Sequence, residues 1–244
     1  MSGRLLVTLV IVATAMDLVL CAIDAGSGRA RFGPRLSYAL PVAELCDLVL
    51  AGCVTLDGDY LAVQPRQAGD PVAGAALSAL ARCEPVTVPG WVKIRGPYGI
   101  DRYLRAAADA GVVRIVPQDG RKVLKVADAG PLHQAADRLV TVLDDPAPGF
   151  SDAAFVMLAD LTRVARPQLR GWGNRKRRAR LAALRRALSS TAGRDDDANA
   201  VLRAGLDAVV RMSRLAGADP RSIDKQIGLT DSGRAGAIYT GGGV

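Results

Sequence analysis

Apolar residues recur three and four positions apart in segment after segment of this chain, and glycine, proline or an acidic cluster closes each segment within a few turns. That spacing belongs to helices that bury one face, so the chain has to be mainly α. Arg35 to Ala51 is the clearest case: Leu36, Leu40, Ala43 and Leu50 are apolar, Ser37, Pro41, Glu44 and Asp47 form a polar stripe, and Gly52 is the expected cap. Further helices are predicted from Pro71 to about Ala81 behind an Asp70 N-cap, from about Tyr98 to Ala110, from Pro131 to about Leu143, from a Ser151 cap, from an Asn174 cap, and from the acidic run Asp195 to Asp197 to near Gly217. The stretch holding Trp91 reads as a proline-containing connection. In two places the period shortens: Val54 to Val63 around Asp57-Gly58-Asp59, and Val112 to Val126 around Pro117 to Gly120, both read as β-hairpins. Ala218 to Val244 is polar, glycine-rich and aperiodic, as in a flexible tail.

With 244 residues, half of them hydrophobic, the chain can build one multi-helix globular domain, predicted over residues 17–217. Aromatics are only 4%, so its core has to be aliphatic and alanine-rich. Residues 1–16 are read as an apolar extension or part of a first helix, Leu5 to Ile23. Their basic start and small residues resemble a short secretory signal, a minority reading. The run is interrupted by Asp17 and is shorter than the roughly 20 residues that cross a bilayer. Cys21, Cys46, Cys53 and Cys83 form no CxxC pair and read as buried thiols of a reducing, cytoplasmic compartment.

Catalysis meets an obstacle in His133, the one histidine, which lies near a helix start with no nucleophile motif such as GxSxG in the chain. No zinc spacing or EF-hand loop is present, and Asp195 to Asp197 suits a helix dipole better than a metal. The short glycine runs lack the rest of a phosphate-loop fingerprint. The expectation is a protein that is not an enzyme, with no metal and no cofactor.

Charge points elsewhere. Between Leu161 and Gly193 lie ten basic residues and no acidic one, a local charge of +10 in a chain whose net charge is +8. The basicity is therefore concentrated at one helix-helix connection and the helix after it, where Arg175, Lys176, Arg177, Arg178 and Arg180 form a candidate membrane patch. A solvated helical face is the competing reading, given equal weight, because only five of the 32 basic residues are lysine and an arginine bias weakens the meaning of any one arginine.

The order of elements resembles the Golgi phosphoprotein 3 family. The matching stretches are Asp17 to Gly28; Ala30 to Leu56 with AELCDLVLAGCVTLDG; AGDPVAGAALSALAR at Ala68 to Arg82; Trp91; DAGVV at Asp109 to Val113 before a hairpin; DAGPLHQAADRL at Asp128 to Leu139; and the basic helix before a last apolar one. The composition would suit a bacterial, actinobacterial member. The resemblance implies a mainly α domain with two hairpins, no enzymatic activity, and peripheral membrane association through phosphatidylinositol 4-phosphate, whose headgroup the family holds with a tryptophan and arginines. Those positions fall here on Phe32, Pro41, Pro97 and Ile100, of which only Phe32 keeps the aromatic character and none carries a cation. Arg31, Arg35, Arg95 and Arg102, close in sequence, are the candidates for rebuilding a headgroup site beside Phe32, because guanidinium forks pair bidentately with phosphate.

The expected partner is thus an anionic phospholipid surface, with a protein partner or a second copy of the chain also open. Two alternatives stand. A helix followed by a hairpin also suits a winged-helix nucleic-acid binder, although Asp101 and Asp109 on the would-be recognition helix speak against it. The other is a protein-protein adaptor that has lost lipid binding.

Overall fold

The computed structural model describes residues 14–66, 68–69, 71–83, 85–118, 121–167, 169, 174–190 and 197–218. In order these form α1 (Thr14–Cys21), α2 (Pro34–Leu50), β1 (Val54–Asp57), β2 (Tyr60–Val63), α3 (Pro71–Ala81), α4 (Val88–Arg95), a single 3-10 turn (Gly96–Tyr98), α5 (Gly99–Asp109), β3 (Val113–Gln118), β4 (Arg121–Val126), α6 (Gly130–Asp144), α7 (Phe150–Leu161), α8 (Arg175–Ser190) and α9 (Asp197–Ala218). The strands pair only as two antiparallel hairpins, β1 with β2 and β3 with β4. Residues 1–13, the Asp70 cap, the pair 195–196 and the tail from 219 lie outside the described residues.

Helix α2 is the axis of the fold. It packs against α1, α3, α4, α5, α7 and α9, and the buried apolar residues form one continuous cluster around it. Its polar stripe is not a solvent face: Ser37, Glu44 and Asp47 are buried along with Leu40, Val42 and Leu45. Pro41 has no N–H to give the Ser37 carbonyl. The 3-10 turn closes in on that spot, where a Cβ on Gly99 would lie 2.8 Å from the Ser37 carbonyl oxygen, while Ser37 Oγ donates to the Gly96 carbonyl. Glycine is required at both positions for this approach, since a Cβ on Gly96 would strike the Tyr38 ring.

Each buried charge on α2 has an assigned partner, as burial demands. Glu44 Oε1 accepts from Arg102 Nη2 at 3.0 Å and from the Tyr103 hydroxyl at 3.2 Å, with Arg95 Nη2 at 3.6 Å. Arg95 also lies over the Trp91 ring, 5.1 Å from its centroid. Burial lowers the Arg95 pKa, against the pull of Glu44. One turn on, Asp47 accepts from the Thr14 amide at 2.9 Å and its hydroxyl at 2.8 Å, fixing the start of α1. Beside them Arg138 joins Asp17 at 2.6 Å to Asp152 at 2.7 Å and lies over Phe155.

Two sequence expectations change. The connection around Trp91 is a helix, α4, because Thr87 caps it by accepting from the Gly90 amide at 3.2 Å and proline sits in its first turn, where no N–H is needed. Glycine 149, not Ser151, is the N-cap of α7, and Ser151 Oγ instead faces the Thr14 hydroxyl at 3.4 Å.

Glu44→Gln leaves two half-buried guanidiniums without a counter-charge and is expected to lower the unfolding free energy by about 3 kcal/mol in urea melts. Asp47 gives a pH signature. Burial pushes its carboxyl from 3.8 up to about 7, outweighing the hydrogen bonds from Thr14. The folded chain therefore keeps a proton that the unfolded chain has lost, and stability falls as pH rises through that window and levels above it. The melting temperature of the native chain should drop more between about pH 5 and about pH 8 than that of Asp47→Asn.

Candidate functional site

A concave groove of about 650 Å³ opens where the head of α2 meets the end of α7 and the last turns of α9. Its floor is Phe32, Leu36 and Val164, and its rim carries Arg31, Arg35, Arg163, Arg166 and Arg214. Among the described lining residues there is no carboxylate, histidine or cysteine. Five cations with no acid among them in the described lining raise the local potential and favour an anion, Arg31 being drawn also to Asp24 outside it.

The elements explain the convergence. Gly33 starts α2 with an extended backbone and no side-chain cap, and Pro34 occupies the first turn, so the amides of Arg35 and Leu36 have no side-chain acceptor. The positive end of a 17-residue helix therefore adds to the arginines. Arg35 Nη1 donates to the Leu161 carbonyl at 3.4 Å, tying the head of α2 to the end of α7. The chain then leaves α7 through Thr162 and Arg163, the latter with φ 69.

Of the residues proposed from sequence, Phe32, Arg31 and Arg35 come together in this groove; Phe32 is 3% exposed and serves as floor. Arg95 and Arg102 do not join them, being placed around Glu44. Pro41 and Ile100, where the family resemblance puts arginine, are buried core positions, and Pro97 sits in the 3-10 turn that packs on α2. Three groove arginines were not assigned from sequence. Arg163 and Arg166 fall in the basic stretch but carry no headgroup signal of their own, and Arg214 reaches the groove only through the packing of α9 on α2, which no local pattern announces.

The second candidate, α8, packs on α6 and α7 and buries Leu181. Arg175, Lys176 and Arg178 are exposed, whereas Arg177 is half-buried and holds Asp144 through Nε at 2.8 Å and Nη2 at 2.6 Å. Arg180 is half-buried as well. On the competing α5–hairpin unit Arg105 pairs with Asp101 and Asp109 is exposed on the helix, while Arg114 and Lys125 are exposed on the hairpin. None of the described helices is long and apolar enough to cross a membrane. No cluster of histidine, cysteine and acidic residues suited to a metal occurs among the described residues.

No curated protein matches the chain. The family model of Golgi phosphoprotein 3 (GPP34) matches residues 15–215, from α1 through most of α9, the span in which the elements follow the expected order. With the family model covering nearly all of the helices and both hairpins, the chain belongs to the Golgi phosphoprotein 3 (GPP34) family.

Proposed function

We propose that this protein is a non-catalytic peripheral membrane protein, acting on a cytoplasmic membrane surface, that docks on anionic phospholipid through arginine, phosphatidylinositol 4-phosphate being the headgroup that its family suggests. The observation that carries the reading is the groove in which five arginines meet with no acidic residue among its described lining. The exposed Arg175, Lys176 and Arg178 of α8 add a second cationic surface. Near an anionic leaflet each basic residue contributes on the order of 1 kcal/mol, so a handful acting together gives useful affinity. The described lining of the groove also holds no histidine, cysteine or carboxylate that could act as a base, and His133 stands exposed on α6. Binding and not chemistry is what such a lining offers.

Co-sedimentation with vesicles tests this. The expected result is binding to phosphatidylcholine vesicles carrying phosphatidylinositol 4-phosphate, weakened by salt and by joint replacement of Arg175, Lys176 and Arg178 with alanine. Stronger binding than to vesicles of equal charge carrying phosphatidylserine would assign headgroup recognition; equal binding would restrict the reading to surface charge. No binding to either anionic vesicle overturns it, and retention on duplex DNA in that case would move the protein to the nucleic-acid class.

A further inference from the structure

We infer that the groove at the head of α2 seats a phosphate group and that Arg163 is one of its binding residues, kept at a backbone position where glycine would be the more stable choice. The inference rests on the groove accepting an anion and names the atoms that do so.

Three helices of this protein stop in the same way. The C-cap residues Ala51 after α2, Ala110 after α5 and Thr162 after α7 have φ/ψ of −73/−7, −76/−1 and −80/−9. In each case the next residue swings to positive φ: 65 at Gly52, 74 at Gly111 and 69 at Arg163. Glycine is the usual occupant of this position because a Cβ crowds the following carbonyl there. Every other described residue with positive φ is glycine, at Gly28, Gly52, Gly58 and Gly111. Arginine has no short polar side chain to bond its own backbone, the means by which asparagine and aspartate tolerate the conformation. Strain of this kind persists at binding sites, where a side chain is needed for its contacts with a ligand.

What Arg163 lines is the arginine groove. No carboxylate of the described residues forms a salt bridge with Arg163, Arg166 or Arg214, while Arg31 is attracted to Asp24 outside the groove lining. The uncapped first turn of α2 is part of the same groove, to which that turn and the segment leading into it contribute Arg35 and Arg31, the chain after α7 contributes Arg163 and Arg166, and α9 contributes Arg214. A tetrahedral oxyanion matches this set, since several acceptor oxygens can be shared among guanidinium forks approaching from different elements. The phosphate can belong to a lipid headgroup or to a free phosphate.

The test is Arg163→Gly, read in two ways. In phosphate-free buffer the variant should melt about 2–4 °C higher than the native chain, because the strain is relieved. Its affinity for inorganic phosphate, measured by calorimetric titration, should fall about tenfold or more, the loss expected for a charge-assisted contact. Arg214→Ala, which alters no strained backbone, should show the same loss of phosphate affinity, and the exposed Arg82→Ala should change neither quantity. Native phosphate affinity in both groove variants overturns the inference, even if vesicle binding is intact. Phosphate binding that depends on Arg163 without any binding to phosphatidylinositol 4-phosphate vesicles supports a free phosphate as ligand and sinks the membrane reading instead; loss of both in the variant assigns the lipid headgroup.

Discussion

Burying α2 on every side is the constraint from which the rest of this structure follows. A helix with no solvent face can keep a carboxylate only if its surroundings supply hydrogen bonds and opposite charge. Glu44 accordingly draws Arg95, Arg102 and Tyr103 to itself, setting how α4 and α5 lie against the axis, and Asp47 takes the first turn of α1. Pro41 and the glycines of the 3-10 turn complete the arrangement by letting two backbones meet where a side chain would otherwise stand.

This sorts the arginines into two populations with different physics. Arg95, Arg102 and Arg138 are half-buried, ion-paired and, for Arg95 and Arg138, lie over an aromatic ring; they hold helices together. Arg31, Arg163, Arg166 and Arg214 stand around a concavity whose described lining holds no acid. Composition alone treats all of these as one net charge. Only the fold separates cations that are neutralised inside the protein from those whose field reaches outward.

The sequence pattern conveyed the helical class, both hairpins and most helix ends, since periodicity, glycine after a C-cap and proline in a first turn are local signals: Gly52, Gly58 and Gly111 all sit where turn chemistry wants them. It failed at α4, where three residues of types that usually break structure, Pro85, Pro89 and Gly90, obscured the Thr87 cap. It also could not tell that the polar stripe of α2 faces inward, because inward and outward stripes have the same period. The groove was half legible. Phe32, Arg31 and Arg35 are neighbours in sequence, but Arg214 lies far along the chain, and its approach depends on how α9 crosses α2.

That crossing has a temporal side. The N-terminal axis, Pro34–Leu50, has as a major packing partner the C-terminal helix Asp197–Ala218, with Gly205 allowing contact so close that a Cβ there would strike Val42. During synthesis at roughly 5–20 residues per second, α2 emerges about 7–30 s before the helix that covers it. For that interval a nascent chain presents an apolar helix with one side bare, so a stalled or truncated product lacking α9 would be exposed to aggregation at the very element that organises the finished fold.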